Sequence, residues 1–468
     1  MIIVYIIILA ILSLAVIYVG LLFWFSERRS GPRLYLNRLK VTPWKFGQDF
    51  LWGSATSSHQ VEGNCTNNNW YQFESAVDAQ GQPRILNGQK AGIASDHWNR
   101  FKEDIQLMKD LSLNAYRFSV EWSKIEPKQG QFDETALDHY ARVVDELLAN
   151  GIEPMITLHH FTNPLWFEEQ GAFLEENSLD IFAAFVEKTV RRLGAKVKLW
   201  CTINEPTVYA MLGYLNAQFP PAVKEPQHVG IVFRNLLRAH TVAYQTIKKL
   251  EPQAQVGLAA SLTIYDPLNR WNLLDVILAH RFHRSLNESH LTYLVNGHLN
   301  FSIPGTVKVT YKSDVKDAFD FFGLNYYSRA FKKFTFFGTD QPTPVRKIPP
   351  EKLTDMGWEI YPPGLHRLLK FISRNTSKPI YITENGLADD SDTKRARFIE
   401  DHLHILNKAV TDGLNVKGYF YWSLLDNFEW AFGFTKRFGL YQVDYTTQKR
   451  TLRDGSRQYP EIIRASRE

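Results

Sequence analysis

From Phe46 onward the chain keeps returning to one pattern: a short apolar run, a loop, then a stretch with helical periodicity. The runs cover residues 50–56, 115–120, 154–159, 199–204, 255–259, 319–327, 380–383 and 416–422, and amphipathic stretches at 98–111, 136–148, 179–193, 231–250 and 392–411 stand between them. Runs that are continuously apolar, rather than alternating, mark strands buried on both faces, as in a parallel sheet covered by helices. Eight strand–helix units in series predict a single α/β (β/α)8 TIM barrel over residues 46–468, with no internal repeat, low-complexity block or second domain. A barrel of this kind keeps its chemistry at the C-terminal ends of its strands.

Two of those ends carry an acid. Lys378-Pro379-Ile380-Tyr381-Ile382-Thr383 runs into Glu384-Asn385-Gly386, and Val197-Lys198-Leu199-Trp200-Cys201-Thr202-Ile203 runs into Asn204-Glu205-Pro206. One such acid would as readily be a helix cap or a rim ion pair. Two on one rim suggest the paired carboxylates that break glycosidic bonds. At the same ends the pattern places Gln60, Arg117, Trp122, His160, Asn325, Tyr327, Trp422, Glu429 and Trp430. Amides and a histidine suit hydroxyl groups, carboxyl groups take bidentate hydroxyl contacts, and indoles cover the apolar face of a ring, so the set predicts a sugar site. His159 and His160 are adjacent on a strand and point to opposite faces, which speaks against a metal pair. Neither metal nor cofactor is expected.

Composition narrows the partners. The aromatic share of 14% serves packing, with some rings available as platforms for a sugar. Of the net charge of +5, most comes from residues 1–40, where Arg28, Arg29, Arg33, Arg38 and Lys40 face one acid, Glu27; the remainder is close to neutral, and no nucleic-acid surface is implied. Cys65 and Cys201 have no metal-type spacing and suggest no disulfide framework.

Ile2 to Phe25 contains no charged residue and is long enough to cross a hydrocarbon core of about 30 Å. It predicts a single-pass anchor over residues 1–25, followed by a basic juxtamembrane linker over 26–45. A cleaved signal peptide is the rival, but basic residues do not precede the run and small residues do not end it. The basic cluster after the span places the rest of the chain on the cytoplasmic side. Asn-x-Ser/Thr triplets at Asn64, Asn287, Asn300 and Asn375 point the other way, although triplets this short arise by chance.

Six motifs in order give the chain a close resemblance to the family 1 glycoside hydrolases, the β-glucosidase family. They are Phe50-Leu51-Trp52-Gly53 with Gln60-Val61-Glu62-Gly63, Tyr116-Arg117-Phe118-Ser119, Asn204-Glu205-Pro206, Asn325-Tyr326-Tyr327, Thr383-Glu384-Asn385-Gly386, and Trp422-Ser423-Leu424-Leu425-Asp426-Asn427-Phe428-Glu429-Trp430. The resemblance implies a retaining β-glucosidase, tolerant of galactose or fucose, with Glu384 as nucleophile and Glu205 as acid/base. It implies that Arg117, Asn325 and Tyr327 support the nucleophile, that Gln60, His160, Asn204, Tyr327, Glu429 and Trp430 bind the sugar, and that Trp422 lies under the ring. Relatives acting on 6-phosphosugars carry small polar and basic groups near Glu429-Trp430, so an unphosphorylated substrate is expected. Both carboxylates are present, against a non-catalytic member of the fold, and Glu205 is not the glutamine of the thioglucosidase branch. Phe161 and Thr162 stand where many relatives have Trp and Asp, the loop at Cys65–Tyr71 is short, and Phe434 replaces a common Tyr; these changes are expected at the rim on the aglycone side. An N-terminal span resembles the plant galactolipid-remodelling branch, so transfer of sugar between membrane glycolipids is the alternative activity.

Overall fold

The computed structural model of the chain describes residues 2–30, 43–303, 305–335 and 348–467. Eight parallel strands close into a barrel: β1 (Leu51–Ala55), β2 (Ala115–Ser119), β3 (Glu153–His159), β4 (Leu199–Asn204), β5 (Gln255–Ser261), β6 (Phe321–Asn325), β7 (Ile380–Asn385) and β8 (Val416–Trp422). Each pairs with its neighbours in sequence, and β8 returns to β1 from Leu51↔Gly418 to Ala55↔Trp422. All eight apolar runs are therefore barrel strands, displaced at most by a few residues at their ends.

Continuous apolarity follows from there being two cores. A small cluster that includes Ala115, Met155, Leu199, Phe321 and Phe420 fills the barrel, while Tyr116, Ile156, Trp200, Phe322 and Ile382 belong to the larger one shared with the helices. The inner space is so full that large rings require glycine opposite. A Cβ on Gly53 would lie 2.5 Å from the Phe420 ring, and one on Gly257 would lie 2.4 Å from the Phe321 ring.

Helix α1 (Ile2–Ser30) precedes the barrel; α2 (His97–Asp110), α3 (Glu134–Ala149), α4 (Ser178–Leu193), α5 (Pro226–Leu250), α6 (Leu273–His283), α7 (Pro363–Asn375) and α8 (Arg395–Thr411) lie around it. The five predicted stretches are α2, α3, α4, α5 and α8. The Asp133 side chain caps α3, accepting from Thr135 N at 2.8 Å and Ala136 N at 3.3 Å. Above the C-terminal ends of β5 and β6 a second pairing, Ile264–Pro267 with Arg329–Lys332, continues as a two-stranded ribbon. Asp266 holds it, accepting from Arg367 at 2.8 Å and Arg329 at 3.3 Å.

Among the described residues α1 is the one helix long and apolar enough to cross a membrane. It runs five residues past the expected end at Phe25, and most of the expected linker, residues 31–42, lies outside the described residues. Its last turns pack on α6 and α7. Of the four glycosylation triplets, Asn287 is unusable in the folded chain: it is buried and donates to Thr263 O at 2.8 Å.

Candidate active site

Both acid-bearing strands lose register just before their acid. β4 slips against β5 between Cys201 and Asn204, and β7 slips against β6 between Ile382 and Glu384. Such irregularities re-aim a side chain, here from the barrel wall toward its mouth. Glu205 then takes a left-handed conformation, φ 46°, before Pro206 opens a short helix. Gly386 is forced by the neighbouring strand, since a Cβ there would meet Trp422 O at 1.8 Å.

The two acids are bound into one network. Arg117, 1% exposed, donates through Nη1 to Glu384 Oε1 at 2.6 Å and through Nη2 to Asn204 Oδ1 at 2.6 Å. Tyr327 OH donates to Glu384 Oε2 at 2.6 Å. Asn325 Nδ2 donates to Glu205 Oε1 at 2.8 Å and to Asn204 Oδ1 at 3.1 Å, while its Oδ1 accepts from Thr383 Oγ1 at 2.7 Å. The two carboxyl groups are thus linked through Asn325, Asn204 and Arg117.

Environment separates their proton affinities. Burial pushes Glu384 up, against the pull of Arg117, Tyr327 and Asn325. Glu205 has no charged donor in contact; burial first, then the negative charge of Glu384, push it up to about 8, against hydrogen bonds from Asn325 and Ser261. Glu429 is likewise pushed up to about 8, by burial and then by Glu384. Contact with the Arg117 cation therefore favours the ionised form at Glu384, and burial beside that charge favours the protonated form at Glu205 and Glu429.

The remaining residues form a polar and aromatic wall. Asn204 Oδ1 faces Arg117, so its Nδ2 donates to His160 Nε2 at 3.1 Å and the ring proton sits on Nδ1. His160 Nδ1 is buried with no partner among the described residues, and burial holds the ring well below its usual range, so it is a neutral donor available to a hydroxyl group. The His160 ring lies nearly parallel to both Trp422, at 5.8 Å, and Trp430, at 6.1 Å. Gln60 Nε2 donates to Glu429 Oε2 at 3.2 Å and to Asn427 Oδ1 at 3.0 Å, and Ser57 Oγ donates to Gln60 Oε1 at 2.7 Å. His159 points away, Nε2 against Asn163 Oδ1 at 2.9 Å among helix-side aromatics, as its position on the strand requires.

Two expectations are corrected. Trp122 is not in the site: it starts the turn after β2, its indole donates to Glu126 Oε2 at 2.8 Å, and its rings pack on Phe167 and Phe185 behind the barrel wall. Phe161 and Thr162 do not sit on the aglycone rim. Phe161 packs 5.3 Å from Trp430, and Thr162 Oγ1 donates to buried Glu121 at 3.1 Å. Residues the sequence did not single out complete the network: Thr383 on Asn325, and Thr157, whose Oγ1 accepts from Arg117 Nε at 3.0 Å. Thr157 and Thr383 are polar residues inside apolar runs, a signal available beforehand.

Residues 42–468 match the model of glycosyl hydrolase family 1. The chain belongs to glycosyl hydrolase family 1. It is 34% identical to β-glucosidase A of Acetivibrio thermocellus, over 90% of this chain and 98% of that one, and 34% identical to β-glucosidase A of Thermotoga maritima with the same coverage. Among solved structures, a β-glycosidase from Pyrococcus horikoshii superposes with a TM-score of 0.81 at 39% identity, covering 91% of this chain and 96% of that one. A β-glucosidase from Thermotoga maritima in complex with glucoimidazole superposes with a TM-score of 0.80 at 31% identity, covering 91% and 100%. This family 1 chain is a glycoside hydrolase, and its relatives support activity of the β-glucosidase type.

Proposed function

We propose that this family 1 hydrolase is a retaining β-glucosidase that removes terminal non-reducing β-D-glucosyl residues, with tolerance for galactosyl or fucosyl ones, by double displacement. Glu384 attacks the anomeric carbon, and the glycosidic oxygen leaves with the proton of Glu205. Water then gives its proton back to Glu205 while its oxygen displaces Glu384 from the glycosyl-enzyme. The observation that carries this reading is one hydrogen-bond network joining the two carboxyl groups, Glu384 on Arg117, Arg117 on Asn204, and Asn325 between Asn204 and Glu205, with the cation in contact with Glu384 only. Two carboxyl groups held in one such network suit the short separation, about 5–5.5 Å, that a retaining pair needs.

Gln60, His160, Asn204, Glu429 and Trp430 bind the glycone and Trp422 lies beside the ring. Arg117 is already bonded to Glu384 and Asn204, and the carboxyl of Glu429 stands where a 6-phosphate would need a cation, which favours an unphosphorylated sugar. The test is proton NMR of aryl β-glucoside cleavage. β-Glucose as the first-formed anomer is expected; the α-anomer, or no release from aryl β-glucosides, β-galactosides or β-fucosides, overturns the proposal. The exposed apolar length of α1 supports a single-pass anchor, with the barrel on the cytoplasmic side. Transfer to a glycolipid uses the same glycosyl-enzyme, and free sugar as the sole product from a glycolipid donor counts against it.

A further inference from the structure

The direction in which α1 is docked relates the barrel mouth to the membrane. Helix α6 follows the ribbon above β5, so it starts at the mouth and runs back toward the opposite end of the barrel. α1 lies beside it in the same direction. The Tyr18 hydroxyl donates to Trp271 O, just ahead of α6, and the Phe25 ring lies 5.2 Å from the His280 ring, about two turns further down. Residues 2–17 therefore continue outward past the mouth, not away from the far end. Sixteen helical residues reach about 24 Å, most of a hydrocarbon core of about 30 Å. They carry no charge, are apolar apart from Ser13, and are exposed throughout. Where this segment meets the barrel, Trp271 and Leu274 are 60% and 41% exposed, and the Arg270 guanidinium lies 5.0 Å from the Trp271 ring. An exposed indole beside a basic group is what a membrane interface accommodates.

A second, separate feature points to the same rim. A cavity of about 460 Å³ begins at Ser261 and Tyr327 and passes Trp358 to Phe331 and Ile348. Its inner end is lined by Ser261, which ends β5, and by Tyr327, whose hydroxyl donates to Glu384 at 2.6 Å. Its outer wall is the ribbon strand Arg329–Lys332, whose partner strand leads directly into Trp271 and α6. Lys332 Nζ lies 3.9 Å from the Phe282 ring of α6, closing that wall against the helix that carries α1.

We propose that the barrel mouth faces the bilayer that α1 spans, and that this cavity takes the apolar tail of a β-glycoside held in the adjoining leaflet. The proposal rests on the β-glucosidase reading and on α1 as an anchor, and it adds an orientation and a substrate class, amphiphilic glycosides presented by the membrane itself. Tethering then confines enzyme and substrate to one surface, which raises their effective concentration without any new contact.

The test uses the full chain in phosphatidylcholine vesicles. Cys65 and Cys201 are both buried, so a single introduced cysteine takes a fluorophore selectively. Leu274→Cys labels the rim, and Gln253→Cys labels the exposed turn ahead of β5 at the opposite end. Nitroxide-bearing lipids are expected to quench the label at 274 and spare the one at 253. Quenching at 253, or none at 274, overturns the orientation. With a two-chain glucosyl lipid, turnover is expected to be at least ~10-fold faster when enzyme and lipid share vesicles than when they occupy separate ones; equal rates overturn the tail-binding part. Turnover of p-nitrophenyl β-glucoside by the same preparation separates the failures, since its absence would sink the glucosidase reading and its presence leaves a failed quenching or vesicle result to count against this proposal alone.

Discussion

At the end of β7, Glu384 accepts from a guanidinium and a phenol; at the end of β4, the buried Glu205 accepts from an uncharged amide. Both strands are apolar, both slip in register before the acid, and both lie within reach of Asn325. The difference is in the donors. A cation in contact with one carboxyl, and that carboxyl's charge acting on the other, leaves a single proton with a defined place, on Glu205. Residue identity does not divide the work between attack and proton donation; the partners from other strands do, Arg117 from β2 across the barrel and Asn325 from β6.

The largest effect that would test this division is Glu384→Gly. Turnover of every β-glucoside should fall by at least ~10⁴-fold, because no other group in the pocket is an ionised nucleophile. Azide should restore it, with product of inverted configuration by NMR. Glu205→Ala should behave differently. Loss of the proton donor should cost roughly 10²–10⁴-fold on an unactivated disaccharide but little in the attack on a dinitrophenyl glucoside, whose leaving group needs no proton. Azide should accelerate this variant with retention. Equal dependence on leaving group in the two variants would erase the distinction between the strand ends.

A smaller effect is electrostatic. Glu205 at about 8 predicts that kcat/KM declines above that pH, as the acid loses its proton. Glu384→Gln removes the charge that is the second contribution to this rise, so the Glu205 carboxyl should titrate lower, read by carboxyl-carbon NMR. Stability has a definite sign as well. The native carboxyl keeps a proton that the unfolded chain releases near its ordinary value of 4.5, so the native state loses stability as pH rises from there toward 8. Glu205→Gln abolishes that slope, and its advantage in Tm over the parent should grow across the same interval.

The barrel could be read from residues because its strands must be apolar on both faces, and Glu205 and Glu384 stood out because each interrupts such a run at the mouth. What could not be read depends on contacts between distant segments. The ribbon of Ile264–Pro267 and Arg329–Lys332 joins two loops, and Asp266, paired with Arg367 and Arg329, carries no local mark of that role. Phe161 shows the same limit. Its φ of 71° turns the chain after His160 and lays the ring against Trp430, where a strand-end count places it on the outer rim.

Trp122 extends that lesson and yields the smallest expected effect on activity. Counted as a strand-end indole it belongs beside the sugar, yet it stands three residues past β2, after the chain has turned to begin a helical segment, and its ring is wedged between Phe167 and Phe185. Trp122→Leu should therefore leave kcat/KM of the folded enzyme within about twofold while lowering stability by about 1–3 kcal/mol, through lost packing and an orphaned Glu126 carboxyl oxygen. Thermal melts beside steady-state kinetics on the same preparation make the check. Trp422→Leu supplies the contrast, since that indole lies at 5.8 Å from His160, inside the pocket, and its loss should raise KM and lower kcat together. A Trp122 variant that bound sugar as poorly as the Trp422 variant would return the residue to the site and undo the separation between barrel wall and barrel mouth.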